Sequence, residues 1–313
     1  MPVCRASNRA QPGLRYTEPS VSAERKALLQ IHFCVVLWGF TAILGKLISL
    51  DALDLVWWRM LIVALAVLVF PGFWRQLRTI SGRQMAIFAG IGVVVALHWL
   101  SFYGAIKLSN ASVAATCMAV GPIFMAFVEP WITGRSFDRR ELLFGLLALP
   151  GVVLVVGGTP SGMRLGIVAG IVSVLLVAVF GSLNKRYVEQ GGALAVTGLE
   201  LGAGAAFLTL VAVIWPGGAA VIEMPDSRDM TLLLVLALGC TLFPYALSLI
   251  ALRHINAYSA QLAVSLEPVY AILLAMLLLG EQRELTFSFY LGVTIILLVV
   301  FGHALTTRRG SVS

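Results

Sequence analysis

Charge is scarce in this sequence. Only 12% of its 313 residues are Asp, Glu, Lys or Arg, 59% are hydrophobic, and the mean hydropathy is +0.95. A soluble domain carries about a quarter of its residues charged, so a soluble fold is excluded. Cysteine is sparse as well. Cys4, Cys34, Cys117 and Cys240 form no CxxC pair and no metal-ligand spacing, which leaves neither a disulfide framework nor a zinc site. The four histidines, His32, His98, His254 and His303, are scattered without an HExxH, and no GxxxxGK[ST] phosphate loop occurs. Paired midplane aspartates and a Gly-x-Ser nucleophile with a partner histidine are missing too. The sequence therefore points to no metal, no cofactor and no enzymatic reaction, and coupling to ATP hydrolysis by this chain is disfavoured.

What is abundant is long apolar runs. Crossing ~30 Å of hydrocarbon takes about 20 apolar residues in a helix, and only helices or closed barrels satisfy their backbone there. The runs lack strand-like alternation, so the expected fold is all-α, a polytopic membrane protein. Ten spans are predicted at residues 29–49, 53–74, 84–107, 110–132, 140–158, 163–187, 193–215, 230–252, 258–280 and 286–306. Short links such as 157–162 and 215–218, rich in Gly and Pro, read as helix ends. Residues 1–28 carry five basic residues without an apolar core and read as a basic cytoplasmic tail, not a cleavable signal peptide; residues 307–313 form a second tail.

Lys and Arg are enriched in cytoplasmic loops. Sixteen of the 22 fall on the side of the N-terminus and five on the other, with Arg59 inside the second span. Both termini are therefore expected in the cytoplasm. This bias accounts for the pI near 9.5, and the basic patch with interleaved aromatics that nucleic-acid binding would want is absent.

The halves resemble each other. An offset of 146 places Ala105 on Ala251, Asn110 on Asn256, Ala111 on Ala257, Ala114 on Ala260, Pro122 on Pro268 and Gly134 on Gly280, with Lys107 on Arg253 and Trp99 on Tyr245. Each half holds five spans, an odd number, so the second enters the membrane from the opposite face. Two inverted repeats follow, at 29–158 and 163–306, a layout in which secondary transporters place substrate sites at the midplane.

The segments AIKLSNASVAA (105–115), GPIFMAFVEPWITG (121–134), ALRHINAYSAQ (251–261) and SLEPVYAILLAMLLLGE (265–281) resemble the two EamA repeats of the drug/metabolite transporter superfamily, and the likeness covers essentially all of residues 29–305. The resemblance implies a ten-helix bacterial inner-membrane carrier. It implies an exporter of amino acids or related small metabolites, working by alternating access between the two repeats. Near the ends of the midplane segments there is no paired Lys-Arg of the sort the sugar-phosphate branch uses, which disfavours phosphate-bearing substrates. A flippase for a lipid or an amphipathic precursor is the alternative reading. A monomer and a homodimer both remain open.

Candidate site residues follow from polar and aromatic groups inside the spans. Glu267 lies about 13 Å into the ninth span, where a carboxylate facing lipid would cost several kcal/mol. Pro268 beside it and Pro122 in the other half are expected to kink their helices. These groups either shape and lock the bundle or line the pathway, and Glu267 could also carry a proton. His98 is a proton-relay candidate or a buried hydrogen-bond donor. Trp99 and Tyr103, four residues apart on one helix face, together with Trp38, read as an aromatic wall or as helix packing. Tyr245, the partner of Trp99 in the repeat alignment, and Gln261 join the candidate pathway. Arg59 and its counterpart Glu200, at an offset of 141, read as guards of an outer and an inner vestibule, with snorkelling to the headgroups as the other reading for Arg59. Trp57 and Trp58 read as interface anchors, and Glu129 as an interface residue near Trp131.

Overall fold

The structure, a computed structural model, describes residues 21–214 and 224–310. The link at 215–218, residues 1–20 of the expected N-terminal tail and residues 311–313 lie outside the described residues. Among those described the fold is helical and without strands. The first repeat contains α1 (Val21–Leu47), α2 (Ala52–Leu68), α3 (Pro71–Leu77), α4 (Gly82–Leu108), α5 (Ala111–Met118), α6 (Gly121–Thr133) and α7 (Arg139–Gly158). The second contains α8 (Arg164–Tyr187), α9 (Ala193–Ile214), α10 (Ser227–Leu234), a π-helical stretch (Val235–Leu242), α11 (Phe243–Ala251), α12 (Ala257–Val264), α13 (Glu267–Leu278) and α14 (Phe287–Gly310). Every expected span coincides with a helix or a pair of broken helices. By length and composition six spans are long and apolar enough to cross a membrane, and eight if each bent pair is one span; α7 and α14 contribute shorter apolar helices. Large apolar side chains face outward, among them Leu277 at 80% and Val153 at 70% exposure, as a lipid-facing surface requires.

One span departs from the expectation of a single helix over 53–74. The chain bends by 89° between α2 and α3. The cause is Pro71 at the start of α3, which holds the preceding Phe70 in an extended conformation (φ −83°, ψ 119°), because a residue before proline is driven out of the α region. At the termini helix continues further than expected, from Val21 and as far as Gly310.

The repeat alignment reappears as geometry. Asn110 and Asn256 each cap a helix, accepting from Val113 N and Ser259 N. Gly134 and Gly280 each follow a helix with positive φ, 77° and 70°, a conformation glycine adopts without penalty. Lys107 donates to Ile48 O at 2.6 Å and Arg253 to Gly191 O at 2.6 Å, each binding carbonyls that follow its own repeat's first span. Both prolines lie in the first turn of the helix after a break, where the missing N–H is not needed. At the breaks Ile123 N donates to Val120 O and Val269 N to Leu266 O, both at 3.0 Å, so short i to i−3 bonds bridge the interruption at matching positions. The bend is 40° in the first repeat and smaller in the second, whose two helices count as one span.

The repeats interleave. Helix α4 packs on α8 and α9, α2 on α9, α6 on α8, α1 on α11, α12 and α13, and α7 on α14. Small residues allow the closest approaches. A Cβ on Gly92 would lie 2.0 Å from Glu200 O, and Gly151 and Gly292 face each other across the α7–α14 contact.

Two carboxylates tie the repeats at opposite membrane faces. Glu281, just after α13, accepts from Ala111 N (3.0 Å), Ser112 N (2.9 Å) and Ser112 Oγ (2.6 Å) at the start of α5. Glu129, near the end of α6, accepts from Ala257 N (3.0 Å) and Tyr258 N (2.9 Å) at the start of α12. Glu129 is 1% exposed, so its carboxylate is spent on protein donors and not on water. Ala111 and Ala257 are repeat equivalents, so each repeat closes the same helix start in the other. Replacing Glu281 or Glu129 by Ala leaves two buried N–H groups without an acceptor. Each variant is expected to lose about 2–3 kcal/mol, read as an earlier thermal unfolding transition of the detergent-solubilised protein than that of the wild type.

Candidate functional site

Between the repeats lies a cavity of about 130 Å³. It runs from Arg59 and Glu267 to Leu252 and Ala257, the end of α11 and the start of α12. Of the residues named from sequence, Trp38, Arg59, His98, Trp99, Tyr245, Gln261 and Glu267 all line it. Tyr103 and Glu200 stand one layer behind, fully buried. Pro122 and Pro268 shape the two breaks and do not line it.

Arg59 is 2% exposed, so its side chain is enclosed by protein at the cavity wall. Its guanidinium stacks 3.8 Å above the Trp99 ring centroid, donates from Nε to Thr241 Oγ1 at 2.6 Å and from Nη1 to Tyr103 OH at 2.7 Å. No carboxylate oxygen approaches within 4.0 Å among the described residues. Two neutral hydroxyls and an aromatic face thus hold a cation in place without cancelling its charge. Thr241 sits in the π-helical stretch and passes its own proton to Leu236 O at 2.6 Å, leaving its oxygen free to accept from Arg59.

Glu267 opens α13 and is 6% exposed, with no hydrogen bond to any described residue. A single cavity therefore presents a guanidinium and a carboxyl group that interact electrostatically without forming a salt bridge. Gln261 lies against Gly121, where a Cβ would come within 2.1 Å of its Nε2, and this buried nitrogen has no partner among the described residues. His98 is fixed by Ser173: Nδ1 lies 3.1 Å from Ser173 O and 2.8 Å from Ser173 Oγ. With Nδ1 carrying the proton toward Ser173 O, Nε2 is left as an acceptor at the cavity wall. The ring rests between Phe102 and Phe180.

The second repeat mirrors the first with reversed charge. Arg59 stacks on Trp99; Glu200, its counterpart, accepts from the hydroxyl of Tyr245, the counterpart of Trp99. Trp99 and Tyr245 meet edge to face at 6.2 Å, so the equivalent residues touch where the repeats join. Sequence reasoning missed Thr241 and Asn184. No signature marked the π turn at Thr241, and Asn184 stood beside Lys185 and Arg186, where it looked like part of a basic loop.

The sequence matches the EamA-like transporter family over residues 25–157 and again over 164–305. The chain belongs to that family. Two relatives from Archaeoglobus fulgidus, each named an uncharacterized transporter, are 26% identical to it. One aligns over 259 residues, 82% of this chain and 88% of its own, the other over 271 residues, 83% and 91%. A solved crystal structure shares the fold with a TM-score of 0.66 at 18% identity, covering 91% of this chain and 98% of its own. As an EamA-like transporter, this is a multi-pass membrane protein of the drug/metabolite type that moves a small solute. Its two family matches coincide with the two repeats that enclose the cavity.

In this EamA-like transporter, Tyr103→Phe would strip the acceptor from Arg59 Nη1 while keeping the ring. A loss of about 1–3 kcal/mol is expected, measured as a lower midpoint of thermal unfolding in detergent.

Proposed function

We propose that the protein is a secondary transporter of a bacterial plasma membrane, with both termini cytoplasmic, that exports a small zwitterionic solute of the amino acid class by alternating access. The observation that carries this reading is that Arg59 and Glu267, a guanidinium and a carboxyl group not joined in a salt bridge, line one cavity. A carboxylate would accept from the guanidinium nitrogen that neither Thr241 nor Tyr103 uses, and an ammonium group would donate to Glu267. Met118, Met125, Phe102 and Phe180 line the same space and favour an apolar side chain on the solute. A phosphorylated solute would bring two or more negative charges to a site that already holds Glu267, and is disfavoured. The orientation rests on the asymmetry of Lys and Arg between the two sides. Alternating access is supported by the packing of the two repeats around one central cavity and by the paired helix breaks on either side of it; export is what the family resemblance suggests.

Purified protein in liposomes, offered a panel of labelled amino acids with and without a pH gradient, tests the reading. Transport of apolar or aromatic amino acids is expected. Arg59→Gln and Glu267→Gln, both still membrane-inserted, should each weaken the apparent affinity by tenfold or more, the worth of a lost charge-assisted hydrogen bond. The Glu267 variant should lose its preference for solutes carrying an amino group. Wild-type flux from it would remove Glu267 from the site. Movement of a labelled lipid with no amino acid flux would replace the reading by a flippase.

A further inference from the structure

Behind the cavity wall lies a cluster of buried polar atoms whose hydrogen bonding is incomplete. Glu200 is 0% exposed in the middle of α9. Its Oε2 accepts from Tyr245 OH and from Asn184 Nδ2, the latter at 3.4 Å. Its other oxygen, Oε1, has no donor, and Asn184 Oδ1 beside it has none either. No Lys, Arg or His nitrogen lies within 4.0 Å of this carboxyl group among the described residues. A bare carboxylate in such a place is expensive, and an orphaned acceptor next to it adds to the cost. Both shortages have one remedy. A proton on the carboxyl group removes its charge and turns it into a donor, and Asn184 Oδ1 is the neighbouring acceptor without a partner.

We propose that Glu200 is the proton-binding site of this transporter, linked to the solute cavity through Tyr245 and Asn184. Both linking residues line the cavity while also holding the Glu200 carboxyl group. When Glu200 is ionised it draws the tyrosine hydroxyl and the asparagine amide toward itself. When an O–H bond forms, with the proton supplied from the aqueous side, the pull on the tyrosine hydroxyl is relaxed and Tyr245 is released toward a bound solute, while Asn184 is held through its Oδ1 by the new donor. Proton and solute thereby alter each other's binding through two shared side chains, as reciprocal coupling requires.

Besides Asp54 on α2, Arg75 on α3 and Arg83 on α4, the titratable groups on the helices packed against α9 have these partners. On α2, Arg59 is bonded to Thr241 and Tyr103. On α4, His98 is bonded to Ser173 and Lys107 to Ile48 O. On α11, Tyr245 donates directly to Glu200. The backbone of Glu200 lies against Gly92 of α4. A sodium ion would need five or six oxygens around it; a proton needs one acceptor.

The coupling role rests on the transport reading above; the proton site does not, and the first test needs no solute. Infrared difference spectra of the reconstituted protein, titrated in choline buffer, should show a carboxylic acid C=O band that disappears reversibly as the pH rises. The band is expected to be lost in Glu200→Gln and kept in Glu267→Gln. Tyr245→Phe, which preserves the carboxyl group and the fold of the ring, should displace the midpoint of that band by about one pH unit. A band that survives in Glu200→Gln, or a midpoint unmoved by Tyr245→Phe, would overturn the assignment. So would a spectrum that answers to sodium at fixed pH, which would make the cation sodium. If an amino acid of the panel is transported, Glu200→Gln should retain exchange of labelled for unlabelled amino acid across the membrane and lose accumulation driven by the pH gradient. Retained accumulation would remove the coupling role even where the infrared band is confirmed.

Discussion

A helix end inside a hydrocarbon layer has no water with which to complete its hydrogen bonds, and this protein interrupts two of its spans there. That constraint governs much of the fold. The breaks before Pro122 and Pro268 are bridged by short i to i−3 bonds, and the helices that precede them begin at Asn caps. The remaining first-turn N–H groups of α5 and α12 receive Glu281 and Glu129 from the opposite repeat. A carboxylate at a helix N-terminus is favoured twice, by hydrogen bonds and by the helix dipole. The first turns of the broken helices are therefore completed only when the two repeats close on each other.

The same economy of partners marks the centre. Arg59 directs its bonds to hydroxyls, and the Glu267 side chain makes no hydrogen bond to a described residue and no salt bridge to Arg59. A structure seeking stability alone would join the two. Instead both line one cavity without a salt bridge between them. In the other repeat the position of Arg59 is taken by Glu200 and that of Trp99 by Tyr245. The two repeats present the same scaffold with opposite charge, one on the cavity wall and one set behind it.

Much of this was legible in the sequence because it depends on residues with strong local meaning. Asn110 and Asn256, Pro122 and Pro268, and Gly134 and Gly280 fell into register at one offset, and each pair performs one structural task. The class of fold followed from hydropathy alone, since a chain this apolar has few places to go. The bend at Pro71 was hidden because apolar residues continue on both sides of it, and hydropathy does not record direction. Glu129 looked like an interfacial residue because its donors are more than a hundred residues away in sequence. Arg59 and Glu200 were recognised as unusual and matched to each other, yet their depth is set by Tyr103, Thr241 and Asn184, contacts that no periodicity reveals. Proximity across repeats is what a single chain conceals most completely.

The crossed carboxylates also bear on how the chain is made. Synthesis delivers the first repeat to the membrane while Ala257 and Tyr258 have not yet been translated, so Glu129 enters the bilayer edge with no donors to meet. The start of α5 waits in the same way for Glu281. The early spans can insert one by one, but their polar groups must remain near water or borrow temporary partners until the ninth span arrives. Consolidation is thus a late event in the life of the nascent chain, and a ribosome stalled between the repeats would leave behind an intermediate with a buried acid exposed, a form that quality control could recognise.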